Sequence, residues 1–256
     1  MEQDILKDIS AEDLNTKISI DAPLDYKGCM ILKQSTPARI CSGRAGTRYK
    51  TSTYLKLRAD HAVAMDAVWS YVDEKVVDEL GFYKIQTLVK DKEEYITRPD
   101  LGRKFSEEIL MNIKKDCINN VDVQIIAGDG LSSPAITSNL KEIYPMIYEG
   151  AKAKGYKIGT PIFVKYARVA TMDKISEALN AMVTLILIGE RPGLATGESM
   201  SCYMAYKASS EKPESQRTVV SNIHKNGMPP VEAGAQIVQL IEILIREKKS
   251  GTALKL

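Results

Sequence analysis

This chain has little of what metal and nucleophile centres are built from: two histidines and four cysteines in 256 residues. His61 and His224 lie far apart, and Cys29, Cys41, Cys117 and Cys202 never reach C-x-x-C spacing. A zinc site, which needs several such ligands close together, is not offered locally. The acidic start Met1-Glu-Gln-Asp has no secretory pattern, so the cysteines are expected to be reduced thiols of a cytosolic protein. An excess of either charge is lacking too. The 35 Lys and Arg against 33 Asp and Glu leave a net charge of +2, which argues against strong binding to nucleic acid or a membrane surface. No apolar run reaches bilayer-spanning length; the longest, around Val183 to Ile188, is strand-sized. With 44% hydrophobic and 27% charged residues, the composition is that of an ordinary globular protein able to bury a good core.

Two stretches share one design: Val121-Asp-Val-Gln-Ile-Ile-Ala-Gly-Asp129-Gly130 and Val183-Thr-Leu-Ile-Leu-Ile-Gly189-Glu190. Each is an aliphatic run without alternation that stops at a glycine-flanked carboxylate. Such runs suit strands buried on both faces, hence a parallel sheet covered by helices. In open α/β sheets, ligands bind just past the carboxyl ends of the strands, which puts Asp129 and Glu190 at candidate binding turns.

The rest of the chain punctuates readily. A helix is expected from Thr51 to Tyr71, with Leu55, Leu57, Ala62, Met65 and Val68 at helical spacing, and another from Asp73 to Leu80. A strand pair is expected at Tyr83 to Val89 and Glu94 to Thr97, then a helix opened by Pro99 over Leu101 to Cys117. Strands follow at Val123 to Ala127, Pro161 to Tyr166, Val183 to Ile188 and Ser201 to Tyr206. Helices alternate with them at Thr137 to Lys154 and Met172 to Leu179. A long final helix enters at Pro229-Pro230 and ends before Gly251. The fold class is therefore α/β: an N-terminal mainly helical lobe (25–118), then a Rossmann-like, mostly parallel sheet flanked by helices (119–256). Residues 1–24 carry Ile5, Leu6, Ile9 and Leu14 among charges, an amphipathic stretch ahead of both.

Several local motifs invite chemistry and resist it. Ser42-Gly-Arg-Ala-Gly-Thr-Arg48 has the glycines and arginines of a phosphate cradle but not the Walker spacing, and arginines pairing with a partner's carboxylates are the favoured reading. His61 beside Asp60 reads as a structural, hydrogen-bonded histidine, because neighbours on a helix point apart. Asp129-Gly-Leu-Ser-Ser133 lacks the G-x-S-x-G elbow, so its serines are expected to cap the next helix, and Asp129 is either a turn residue or a ligand contact. Glu190, between Gly189 and Gly193, is either an acceptor aimed into a crevice or part of a solvated turn.

Taken in series, these motifs resemble one family, the small (light) subunit of adenosylcobalamin-dependent ethanolamine ammonia-lyase. The resemblance rests on Ala38-Arg-Ile-Cys-Ser-Gly-Arg-Ala-Gly46, Ala59-Asp-His61, Thr97-Arg-Pro-Asp-Leu-Gly-Arg103 and Asp129-Gly-Leu-Ser132. It continues through Gly159-Thr-Pro161, Gly189-Glu-Arg-Pro-Gly-Leu194, Glu198-Ser, Ser201-Cys-Tyr203, Ser221-Asn-Ile-His224 and Pro229-Pro-Val-Glu232, and covers the chain from about Ser35 onward. It implies a lyase subunit, active only with its large subunit, for radical conversion of ethanolamine to acetaldehyde and ammonia in ethanolamine catabolism. The large subunit, a (β/α)8 barrel, would hold the substrate, and the small one would clamp adenosylcobalamin, with its cobalt, at their interface in a larger hetero-oligomer. Three positions carry over as cofactor contacts: Val169 through its backbone, Glu190 through its carboxylate, and Val219, where some relatives have cysteine. No residue of this chain carries over as catalytic or metal-ligating. The D-x-H-x-x-G pattern that supplies a lower histidine ligand is missing, so the cofactor would keep its own benzimidazole on cobalt. The resemblance also implies bacterial cytoplasm, inside a protein-shelled microcompartment, with the N-terminal stretch either a docking tag for the shell or a segment packed on the large subunit. Two other classes stay open beside it: a self-sufficient α/β small-molecule enzyme using Asp129 and Glu190, and a pure assembly subunit.

Overall fold

The computed structural model describes residues 16–36 and 38–254, so most of the N-terminal amphipathic stretch lies outside the described residues. The chain divides into two compact units: Met1–Asp66 with Gly193–Thr196, and Ala67–Pro192 with Gly197–Leu256. In the first unit, α1 (Tyr26–Gln34) is capped by Asp25, whose carboxylate accepts the Gly28 N–H at 2.8 Å. The glycine-punctuated loop folds into a hairpin of β1 (Arg44–Ala45) and β2 (Arg48–Tyr49). Its tight turn holds Gly46 at φ 62°, a conformation glycine adopts without a Cβ clash. Next comes α2 (Thr51–Trp69), where the apolar spacing predicts a helix. The apolar stripe on it is not buried within the chain, however. Leu55 and Met65 are 47% and 46% exposed.

The second unit runs α3 (Glu74–Glu79), β3 (Tyr83–Gln86), α4 (Lys92–Thr97), a 3₁₀ turn at Leu101–Arg103, α5 (Glu107–Asp116), β4 (Val123–Gly128) and α6 (Ser133–Ala153). It continues with β5 (Ile162–Lys165), α7 (Thr171–Leu179), β6 (Val183–Gly189), β7 (Met200–Tyr206), β8 (Thr218–Ile223) and α8 (Pro230–Glu247). The sheet order is β3-β5-β4-β6-β7-β8. The first four strands are parallel, β7 runs antiparallel to β6, and β8 runs antiparallel to β7. The two unbroken aliphatic runs are the neighbours β4 and β6, with every residue buried. One face packs Val123, Ile125, Leu185 and Leu187 against α6 and α8. The other packs Ile126, Ile186 and Ile188 against α5 and α7. Each fully buried Ile or Leu contributes on the order of 1.5–3 kcal/mol of transfer free energy, so an uninterrupted run belongs in the middle of the sheet.

Three expectations need correcting. Glu94 to Thr97 is not a strand but the body of α4, because Asp91 accepts the Glu94 N–H at 2.9 Å and starts a helix. Its supposed partner β3 pairs in parallel with β5, so the 25–118 stretch contributes a strand to the sheet. The helix expected over Leu101 to Cys117 is interrupted; Ser106 caps a separate α5 by accepting the Ile109 N–H at 3.3 Å. Strand β8 went unforeseen, being an edge strand with a polar, partly exposed sequence.

An acidic staple holds the end of α7. Glu177 Oε1 accepts the Ser210 N–H at 2.8 Å and the Ser209 and Ser210 hydroxyls at 3.1 and 2.8 Å, and Lys174 lies 3.0 Å from Oε2. Partial burial pushes this carboxyl up, but the donors outweigh it and hold it at about 2. A carboxyl depressed by folding contributes stability that is full above its unfolded value near 4.5 and lost as pH falls toward 2. Glu177→Gln is therefore expected to lower stability at neutral pH and flatten the acid side of the urea-unfolding profile below pH ~4.5.

Candidate functional site

Asp129 and Glu190 follow the carboxyl ends of adjacent parallel strands, with Gly128 registered against Ile188. They nevertheless occupy different environments. Asp129 is 1% exposed and turns inward, accepting the Ser133 hydroxyl at 2.6 Å and facing Lys92 Nζ at 3.6 Å. Lys92, itself 3% exposed, sits in a cage of tyrosines, with Nζ 5.3, 5.4 and 6.0 Å from the ring centroids of Tyr71, Tyr95 and Tyr166. Burial pushes the lysine down and the aspartate up, and each partner pulls the other back toward its charged form. The cage is locked from outside: Tyr95 donates its hydroxyl to Ala167 O at 2.8 Å, and Arg168 stacks 4.2 Å over the Tyr95 ring. Asp129 is thus a buried structural carboxylate, and Ser132 caps α6 as the sequence suggests, accepting the Ala135 N–H at 3.2 Å.

Glu190 is held in a ring of internal donors. Its backbone N–H donates to Ser199 O at 2.9 Å, closing the loop between β6 and β7. Gly189 just before it allows this, because a Cβ there would stand 2.0 Å from Ser132 O. Oε1 accepts the Ser201 hydroxyl at 2.5 Å and the Asn222 N–H at 3.1 Å, while Oε2 accepts the Ser199 hydroxyl at 2.9 Å. Asn222 reaches it through a bulge: Met200 pairs with Ile223 but Cys202 with Val220, so β8 carries one extra residue, and Asn222 takes φ 60°. Burial raises the Glu190 carboxyl, but these donors and the nearby His224 outweigh it and keep the group a stronger anion than usual. A carboxylate offers about four lone-pair positions, so Oε2 keeps room for one more donor.

The other two expected contacts open on the same face of the sheet. Val169 sits just before α7 and packs against the cluster of Ile186 and Ile188, as does Tyr203. Its carbonyl accepts the Met172 N–H at 3.1 Å, and its own N–H has no partner among the described residues. Val219 pairs with Tyr203, which pairs with Ile186 across β6. It points away from α8 and is 42% exposed. Beneath it, Arg217 binds Asp173 of α7 at 2.7 Å, with both side chains nearly buried. The sequence singles out Glu190; it leaves Ser199, Ser201 and Asn222 without a role, although all three lie in the motif strings quoted above.

The remaining candidates resolve differently. Arg191 is exposed, and its neighbour's carboxylate is taken by serines instead. His61 is exposed on α2 and has no hydrogen bond among the described residues, so the hydrogen-bonded structural role expected for it is not seen there. His224 is the buried histidine, with Nε2 2.9 Å from Asn222 Oδ1. In the first unit, Arg39 pairs with Asp60 at 2.6 Å and donates to Leu194 O at 2.7 Å. Arg44 lies 4.6 Å over the Tyr49 ring. Among the described residues there is no group of three His, Cys, Asp or Glu able to hold a metal ion, and no helix long and apolar enough to cross a membrane.

Comparison with known proteins bears on the chain as a whole. Residues 27–255 match the family model described as ethanolamine ammonia-lyase light chain (EutC). A Clostridium acetobutylicum protein named ethanolamine ammonia-lyase small subunit is 73% identical over 225 residues, 88% of this chain and 93% of its own. Proteins of the same name from Clostridium tetani and Listeria monocytogenes are 51% identical over 255 residues and 50% over 250. They cover 100% and 98% of this chain and 86% and 85% of their own lengths.

Proposed function

This chain belongs to the ethanolamine ammonia-lyase light-chain family, and from that premise we propose that it closes over adenosylcobalamin at an interface with a catalytic large subunit. The reaction of that assembly is the cleavage of ethanolamine to acetaldehyde and ammonia. When bound, the cofactor supplies the radical initiator for that cleavage. The observation that carries the reading is the spare acceptor position on the Glu190 carboxylate, beside an open apolar sheet edge.

The donor set fits the group. A corrin rim carries primary amides that both donate and accept. Glu190 Oε2 can take an amide N–H, the free N–H of Val169 can meet an amide carbonyl, and exposed Val219 offers apolar surface. Where relatives have cysteine, Val219 keeps packing and backbone contact but no thiol. A neutral polar contact contributes about 1 kcal/mol and one to a charged group about 1.5–3, so these two with the apolar contact of Val219 cannot hold a cofactor without a second subunit. A covering subunit also excludes water from reactive chemistry. In the first unit Tyr26, Ile31, Leu32, Tyr54, Leu55 and Met65 are exposed, apolar surface that suits burial against a partner chain.

The test is acetaldehyde release from ethanolamine with adenosylcobalamin, using this chain alone, the large subunit alone, and both together. Turnover is expected only from the mixture. Activity of this chain alone, or none from a formed complex, would overturn the reading.

A further inference from the structure

The basic loop and the start of α2, unused by the proposed function, enclose a cationic cavity of about 60 Å³ within the first unit. Its walls include Lys17, Lys33, Arg39, Lys56, Ser52 and Thr53. Asp60 answers two of these cations, pairing with Arg39 at 2.6 Å and with Lys56. It does not answer Lys33. That lysine is 4% exposed, yet its Nζ donates only to Ile40 O at 3.2 Å, and no carboxylate of the described residues lies within pairing distance. An ammonium has three donors, and a buried charge is ordinarily paired, so among the described residues this one lacks an anion. Ser52 adds a hydroxyl from the first turn of a 19-residue helix, whose leading N–H groups have no acceptor within the helix and carry its positive end, while the Thr53 hydroxyl donates to Gly43 O at 3.3 Å.

We propose that this cavity binds a phosphate group, as free phosphate or as a phosphomonoester. The lining is drawn from α1, the loop and the α2 terminus, and the charge of Lys33 left without a carboxylate sits beside a helix start, where phosphate is commonly held. Lys33 and Lys56 are already buried in this chain, so they are walls of a pocket and not surface charges awaiting a partner. The missing Walker spacing argues against a nucleotide here.

The experiment is calorimetric titration of the full chain with inorganic phosphate and with phenyl phosphate at fixed ionic strength, repeated after assembly with the large subunit. Saturable one-site binding is expected in both settings, weakened at least tenfold in Lys33→Met. Because that variant alters a buried group, Ser52→Glu serves as a second probe. An acid at an exposed helix start favours folding, and there it should block phosphate. Binding of inorganic phosphate alone would assign the free anion, and binding of both ligands a phosphoryl group on a larger molecule. Binding unchanged in the two folded variants would overturn the proposal. So would its loss on assembly, which would hand the cavity to a carboxylate of the large subunit.

Discussion

Glu190→Ala is expected to weaken cobalamin retention by the assembled enzyme about ten- to a hundredfold, since a hydrogen bond to a charged group is worth about 1.5–3 kcal/mol. The substitution removes the carboxylate whose Oε2 has capacity to spare. It also strips the Ser201 hydroxyl and the Asn222 N–H of their acceptor. Leaving those donors unmade costs about 1–3 kcal/mol of stability, so the variant should melt earlier while keeping its secondary structure. Glu190→Gln separates the two effects. It preserves volume and one acceptor but turns an amide toward serine donors, so retention should fall by less than in alanine. Cofactor remaining after gel filtration of the complex, beside far-UV circular dichroism, measures both. Retention equal to the parent in a folded Glu190→Ala complex would remove Glu190 from the site.

Lys92→Met should produce the largest loss of stability, about 3–5 kcal/mol, the range seen when one partner of a buried ion pair is deleted. Asp129 would be left at 1% exposure with the Ser133 hydroxyl as its hydrogen-bond donor and only the more distant Lys165 as a countercharge, facing tyrosine rings whose faces repel an anion. The loss should shrink as pH falls. Burial already raises the Asp129 carboxyl, removing Lys92 raises it further, and a group whose folded pKa is raised favours folding once protonated. Asp129→Asn in the Lys92→Met background should recover part of the loss even at neutral pH, a coupling that a double-mutant cycle in urea isolates. A loss below about 1 kcal/mol in Lys92→Met would mean the pair is hydrated and its burial overstated.

The candidate residues were legible in the sequence, while their surroundings were not. Glu190 stood out as a carboxylate between glycines at the end of an apolar run, a pattern open to a crevice acceptor or a solvated turn alike. Its supports did not, since Ser199, Ser201 and Asn222 come from a loop, an antiparallel strand and a bulge that no periodicity marks. Asp129 showed the same local pattern as Glu190 and proved a different kind of residue. Lys92, 37 positions earlier in the numbering, decides that, and it lies in a segment whose Glu94-Tyr-Ile-Thr run imitates a strand. The Asp91 cap that makes it a helix is visible in the sequence but competes with β-favouring Tyr95 and Ile96, and tertiary packing of Tyr95 at 0% exposure settled the contest.

The sequence by itself determined what depends on near neighbours. Unbroken aliphatic runs suit central strands, serines ahead of Pro134 and prolines ahead of Val231 start helices, and motif strings in fixed order place the chain in its family. Only the tertiary structure decided what depends on distant chain segments meeting. It set the parallel partnership of β3 with β5, the placement of β8 at the sheet edge, and the burial of one strand-end carboxylate beside a caged lysine. It also left the other carboxylate half-exposed with a vacant lone pair. The physical reason is that hydrophobic burial and hydrogen-bond satisfaction are properties of a surrounding shell, and that shell is assembled from residues tens of positions apart.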